Sequence, residues 1–154
     1  MSGDPALRVE PFGFTWAPLV PELLVTELHR SLDFWCRLCG FTIAYDRPEG
    51  GFAYLHRGGS QVMLEEWTQP GRRWITAPLE PRFGRGMNFQ VEVNDLSPLL
   101  SAMDREKWPL YAGLEEKWYR AGNLEAGMMQ FLVQDPDGYL LRFQKLLGVR
   151  RPRG

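Results

Sequence analysis

Hydrophobic and polar positions along the chain alternate in two different periods, and the order of those periods occurs twice. PLVPELLV (18–25) predicts a strand. After it, Leu28, Leu32, Trp35 and Leu38 recur at three- and four-residue steps, which predicts a helix from about Glu27 to Leu38 with Gly40 as its stop. Three strand signals follow: FTIAYDR (41–47), GFAYLHR (51–57) and QVMLEEW (61–67). Pro48-Glu49-Gly50 and Gly58-Gly59-Ser60 separate them as turns. Residues 68–84 hold three prolines and no clean period, and read as a linker.

The pattern then restarts. In GMNFQVEV (86–93), Met87, Phe89, Val91 and Val93 alternate with Asn88, Gln90 and Glu92, so one face of the strand is apolar and the other polar. Ser97-Pro98 supplies an N-cap and first-turn pair, and the helix is expected to run to about Glu106 with Leu99, Leu100 and Met103 inward. Strand-like pieces stand near 108–111, at 127–134 and at 139–145, the last two joined by the turn Asp135-Pro136-Asp137-Gly138. Val25-Thr26-Glu27-Leu28 matches Val93-Asn94-Asp95-Leu96 at an offset of 68, and Leu32 and Leu100 keep that offset. The expected architecture is α+β: two βαβββ modules forming a curved mixed sheet, with a partly polar trough opposite the helices. The expected divisions are a flexible arm (1–16), a first module (17–68), a linker (69–84), a second module (85–147) and a basic tail (148–154).

Length and composition narrow the function without naming it. A chain of 154 residues can bury a core without disulfide or metal staples. A net charge of −1 sets up no field to draw in nucleic acid or anionic lipid, so neither is an expected partner. The N-terminal segment lacks the apolar run of a signal peptide, and no stretch reaches bilayer-spanning length, which makes the cytoplasm the expected location. Cys36 and Cys39 form a C-x-x-C string, but they precede the helix stop at Gly40. A redox pair needs a helix N-terminus to stabilise its thiolate, so these read as core cysteines. They also fit no zinc-ligand spacing with His29 and His56.

The strings VTELHRSLDFWCRLCGF and FLVQDPDGYLLRF, set in the duplicated layout, resemble the glyoxalase / bleomycin-resistance / dioxygenase (vicinal oxygen chelate) superfamily over roughly residues 18–147. Metal-using members of that group place His, Glu or Gln at four pseudo-symmetric strand positions. Carried over with the repeat as a ruler, these fall on Val20, Glu65 (Leu64 if the register shifts by one), Asn88 and Arg142. Valine cannot ligate, and arginine stays protonated, so no metal or other cofactor is expected. Within the superfamily the resemblance leans toward bleomycin-resistance proteins. It implies a homodimer that sequesters a small aromatic or cationic molecule without turnover. Glu125-Ala126 stands where those proteins usually carry Trp-Gly.

Aromatic residues make up 13% of the chain and include six tryptophans, with Trp67, Trp74, Trp108, Tyr111, Trp118 and Tyr119 placed in or beside loops. A flat cationic ligand needs stacking rings and carboxylates. The expected ligand-binding residues are therefore Glu65, Trp67, Asn88, Gln90, Trp108, Trp118 and Arg142. Arg142 is either an anchor for a ligand anion or an internal partner of Glu65. No catalytic residue is assigned. Two alternatives stand beside sequestration: a lyase, isomerase or dioxygenase-type enzyme of the same superfamily using Glu65 or His56, and a regulatory module with no open pocket.

Overall fold

The computed structural model describes residues 14–68 and 74–153; the expected arm up to residue 13 and the first part of the linker (69–73) lie outside them. The chain divides into two compact units, Met1–Pro81 and Arg82–Gly154. Each contains one four-stranded mixed sheet, and the fold is α+β with the repeated strand order that the periodicity predicts.

In the first unit β1 (Glu22–Val25) leads into α1 (Leu28–Leu32), followed by β2 (Thr42–Arg47), β3 (Phe52–Arg57) and β4 (Ser60–Glu66), in the sheet order β1-β4-β3-β2. β1 runs parallel to β4, and the other pairs are antiparallel. Leu23, Val25, Val62, Leu64, Ala53 and Leu55 are buried on one face. The helix departs from expectation in its second half. Asp33–Leu38 winds as a π-helix, in which the Cys39 N–H donates to Phe34 O. The wider turn lets the adjacent Phe34 and Trp35 both reach the core, each 1% exposed, while Leu32 is only half-buried.

In the second unit the elements are β5 (Asn88–Glu92), α2 (Ser97–Arg105), β6 (Leu110–Ala121), β7 (Leu124–Gln134) and β8 (Leu140–Arg150), in the order β5-β8-β7-β6. Val91, Phe131, Val133, Leu141 and Phe143 form one buried face, and α2 contributes Leu99, Ala102 and Met103 to the same core. Ser97 is the first helical residue rather than the cap. The Asp95 carboxylate accepts its N–H at 2.9 Å, and this bond holds the Asp95 pKa below its ordinary value.

The last three strands are longer than periodicity suggests. Tyr111, Trp118 and Tyr119 lie on β6 rather than in a loop, and β8 continues through Arg150, past the expected start of the tail. Asp135 makes the turn between β7 and β8. Its carboxylate accepts the N–H groups of Asp137 and Tyr139, and Gly138 adopts a left-handed φ of +86°.

Candidate functional site

Strand alternation places every second residue of the second sheet on the face opposite its apolar core. Register defines the rows of that face. Asn88, Leu140 and Gln134 form one row; Gln90, Arg142 and Leu132 form the next; Glu92, Gln144 and Gln130 form the third. Glu115 of β6 continues the third row beside Gln130. Asn88, Gln90 and Arg142, three of the residues expected from sequence, thus share one polar face.

The side chains there are held by one another. Arg142 Nη2 donates to Gln90 Oε1 at 2.7 Å, and its guanidinium lies 5.9 Å from the Tyr119 ring centre. Gln130 Nε2 donates to Glu115 Oε1 at 2.9 Å and to the Tyr119 hydroxyl at 2.7 Å. These bonds turn the Gln130 carbonyl oxygen the other way. Three atoms of this network remain without a hydrogen-bond partner although buried: Gln130 Oε1, Gln144 Oε1 and Arg142 Nε. Gln130 and Gln144 are each 2% exposed. A buried polar atom left unpaired costs about 1–3 kcal/mol, so these three atoms in adjacent rows carry a desolvation cost in the folded protein.

The first row also borders a cavity of about 330 Å³, lined by Asn88, Leu140, Gln134, Tyr111 and the segment Gly84–Met87. The wall formed by that segment depends on close packing. A Cβ on Gly84 would come within 2.4 Å of Tyr139 Cα, and Phe83 N–H donates to Asp137 O at 2.9 Å. Glycine at 84 lets the chain lie flat against the Asp135 turn and close one side of the cavity.

The other expected residues lie elsewhere. Trp118 is on the opposite face of the second sheet. It faces Gly127 with the Arg150 guanidinium 3.7 Å above its ring, and its indole N–H donates to Glu116 at 2.7 Å. Arg150 also pairs with Glu125 at 2.9 Å, which gives the Glu125-Ala126 string a structural role. Trp108 follows α2 and donates its indole N–H to the Gln134 carbonyl at 2.9 Å. The structure therefore ties both tryptophans into the scaffold and does not bring either ring to Arg142's row.

Glu65 and Trp67 belong to the first unit. Glu65 lines a cavity of about 210 Å³ with Glu22, Leu24 and Trp74, and Trp67 follows β4 with its N–H bonded to Val25 O. Sequence reasoning omitted Gln130 and Gln144. Their signal was present in the alternation of GMMQFLVQ and YLLRFQK, which aligns them with Arg142, but an amide without charge does not stand out in a string.

Part of the polar face of the first sheet, around Tyr54, His56 and Gln61, is covered. Phe14 stacks on His56 with centroids 4.7 Å apart, and Trp16 meets Tyr54 edge-on at 4.9 Å. Gln61 Nε2 donates to Thr15 O at 2.6 Å, and Gln61 Oε1 accepts the Ala17 N–H at 2.9 Å. Phe14–Trp16, assigned by sequence to the flexible arm, are thus strapped to the sheet.

The fold family implies a metal in some members. Among the described residues no three His, Cys, Asp or Glu side chains are grouped so as to hold one. The polar face of the second sheet offers amides, a guanidinium and the carboxylates of Glu92 and Glu115 at the two ends of one row, a set without three grouped anionic or imidazole ligands for a divalent cation.

These features define a βαβββ-repeat protein with an amide-rich polar face on its second sheet. The sequence model of the Glyoxalase/Bleomycin resistance protein/Dioxygenase superfamily matches residues 18–143, and the chain belongs to that superfamily. No curated protein matches it. Among solved structures, TioX from Micromonospora sp. ML1 is similar at 23% identity and a TM-score of 0.63, over 86% of this chain and 100% of that one. A virulence protein from Salmonella typhimurium is similar at 16% identity and a TM-score of 0.62, over 86% and 98% of the two chains. A lactoylglutathione lyase from Agrobacterium tumefaciens shares 16% identity at a TM-score of 0.54, over 84% and 92%. At these identities the likeness concerns the fold. Among the described residues, no helix is long and apolar enough to cross a membrane.

Proposed function

We propose that this chain is a cytoplasmic binding protein that sequesters a small aromatic molecule on the polar face of its second sheet, without a metal and without turnover. One observation carries the reading: Gln130 Oε1, Gln144 Oε1 and Arg142 Nε are buried without partners in neighbouring rows. A ligand that bonds to them would recover a desolvation cost already present in the folded protein. Tyr111, 64% exposed at the rim of the adjoining cavity, offers a ring for stacking. Asn88, Gln90 and Arg142 carry over from the sequence-based assignment, with Gln130, Gln144 and Tyr119 added.

That face carries Arg142 near its middle and the carboxylates of Glu92 and Glu115 at the two ends of one row, so the cationic groups of a ligand fall to its edges. The first unit offers the alternative. Its smaller cavity is bordered by the carboxylates of Glu22 and Glu65 and by the Trp74 indole, the chemistry that receives a cation.

Bleomycin, named in the superfamily's description and both cationic and heteroaromatic, separates the two. The measurement is a titration with metal-free bleomycin followed by tryptophan fluorescence and by amide NMR shifts. The expected result is saturable binding at one or two drugs per dimer, weakened at least tenfold by Arg142→Ala. Binding untouched by Arg142→Ala but lost in Glu65→Gln would move the site to the first unit. The absence of any saturable response would remove bleomycin-type resistance as the function.

A further inference from the structure

Resting on the binding role proposed for the second sheet, we infer that its ligand is an aromatic molecule bearing a carboxamide, because the chain lays such a group on its own first sheet. There, Phe14–Ala17 lie across the polar face. Rings alternate with peptide groups: Phe14 on His56, Trp16 on Tyr54, and between them the Gln61 side chain bonded to the Thr15 carbonyl and the Ala17 N–H. One glutamine amide thus reads the donor and the acceptor of a backbone held between two aromatic side chains.

Register shows what corresponds to this place in the second unit. Glu22, Met63 and Tyr54 share a row of the first sheet, and Gln90, Arg142 and Leu132 share the matching row of the second. The row of His56 and Gln61 therefore corresponds to that of Gln134 and Leu140. That second row borders the 330 Å³ cavity. The place that Phe14–Ala17 cover in one repeat is a cavity in the other; Leu140 stands there where Gln61 stands in the first sheet, and Arg142, Gln130 and Gln144 follow in the next two rows, outside the cavity's lining.

The unpartnered atoms specify the rest. Two amide carbonyl oxygens require N–H donors, and the Arg142 Nε–H requires an acceptor. A carboxamide presents both from adjacent atoms. A carboxylate offers no donor, and an ammonium offers no acceptor. The Gln130 oxygen cannot trade places with its nitrogen at no cost, because Nε2 already donates to Glu115 and Tyr119. Gln130 and Gln144 stand directly opposite each other across β7 and β8, and Arg142 is two residues along on the same face. Cross-strand and same-face neighbours of this kind lie within about 7–8 Å, a span that one amide with its attached ring covers.

The test uses the full chain and three probes with one ring system: N-acetyltryptophanamide, indole-3-propionate and tryptamine. Binding is read from backbone and glutamine side-chain amide NMR signals. The expected result is that N-acetyltryptophanamide shifts signals of β5, β7 and β8 saturably and binds at least tenfold more tightly than the other two. Gln144→Met and Arg142→Lys are each expected to reduce that preference at least fivefold while leaving the dispersed spectrum of a folded protein. Equal or tighter binding of the carboxylate or the amine, with shifts on the same strands, would overturn the amide inference and leave the binding role intact. Shifts confined to the first sheet, or none from any probe, would overturn the amide inference too. In that case the bleomycin titration decides separately whether the second sheet binds a ligand at all.

Discussion

Gln144 shows how one residue can be poor for stability and useful for binding. It is 2% exposed, sits in a face of tightly held side chains, and its carbonyl oxygen has no partner. Replacing such a group with an apolar side chain of similar size removes a desolvation penalty rather than a bond. Gln144→Met is therefore expected to raise the stability of the unliganded protein by about 1 kcal/mol, read from the denaturant midpoint. A loss of stability of the same size would show that the Gln144 side chain is satisfied in solution and that its row is scaffold. By contrast, Trp118 looks functional in the sequence because a large ring in a short polar context suggests a ligand. Its indole N–H bonds to Glu116 of its own strand, its ring lies against Gly127 of β7, and Arg150 of β8 covers the ring face.

At the scale of elements, the second sheet and its β7–β8 turn depend on close approaches that only glycine permits. A Cβ at Gly127 would come within 2.5 Å of the Trp118 ring, and one at Gly84 within 2.4 Å of Tyr139 Cα. The two differ in what must yield. At Gly127 the obstacle is a side chain on an antiparallel neighbour, whereas at Gly84 it is the backbone of the Asp135 turn. Gly84→Ala is expected to cost about 2–3 kcal/mol and to open the cavity wall, since backbone cannot rotate aside. Gly127→Ala is expected to cost about 1 kcal/mol, through displacement of the Trp118 ring. Thermal unfolding of the two variants checks the order, and a larger loss at Gly127 would contradict it. The π-helical turn at Asp33–Leu38 is a similar local solution: the core requires two consecutive aromatic side chains, and the helix widens to deliver both.

At the scale of the whole molecule, the long β6, β7 and β8 strands leave apolar side chains in solvent. Leu146 is 50% exposed, Leu147 41%, Val149 63% and Leu114 49%. Apolar side chains concentrated on one stretch of sheet mark a contact surface more often than a solvated one. We propose that a second copy of the chain covers them, in the homodimer that the superfamily resemblance implies, with the same patch used by both copies. Light scattering on the eluted protein is expected to give twice the chain mass of 17.8 kDa, and Leu146→Asp with Val149→Asp is expected to halve it. A monomer at micromolar concentration would leave the patch to some other occupant.

The periodicity of the chain was enough to determine the repeated βαβββ order, the two buried faces and the Asp135-Pro136-Asp137-Gly138 turn, because alternation and turn chemistry are local properties that one strand or four residues carry by themselves. The same alternation placed Asn88, Gln90 and Arg142 on one face before any fold was known. It could not show that β6 runs through Trp118 to Ala121 and that β7 begins at Leu124, since a long hairpin is held by pairing across strands rather than by the pattern of either one. Nor could it show that Phe14 and Trp16 dock on the first sheet, because their partners His56, Tyr54 and Gln61 are about forty residues away. Whether a polar side chain is satisfied was beyond it for the same reason. That property depends on every neighbour at once, and only the tertiary structure decided that Gln130, Gln144 and Arg142 each keep one buried atom unpaired.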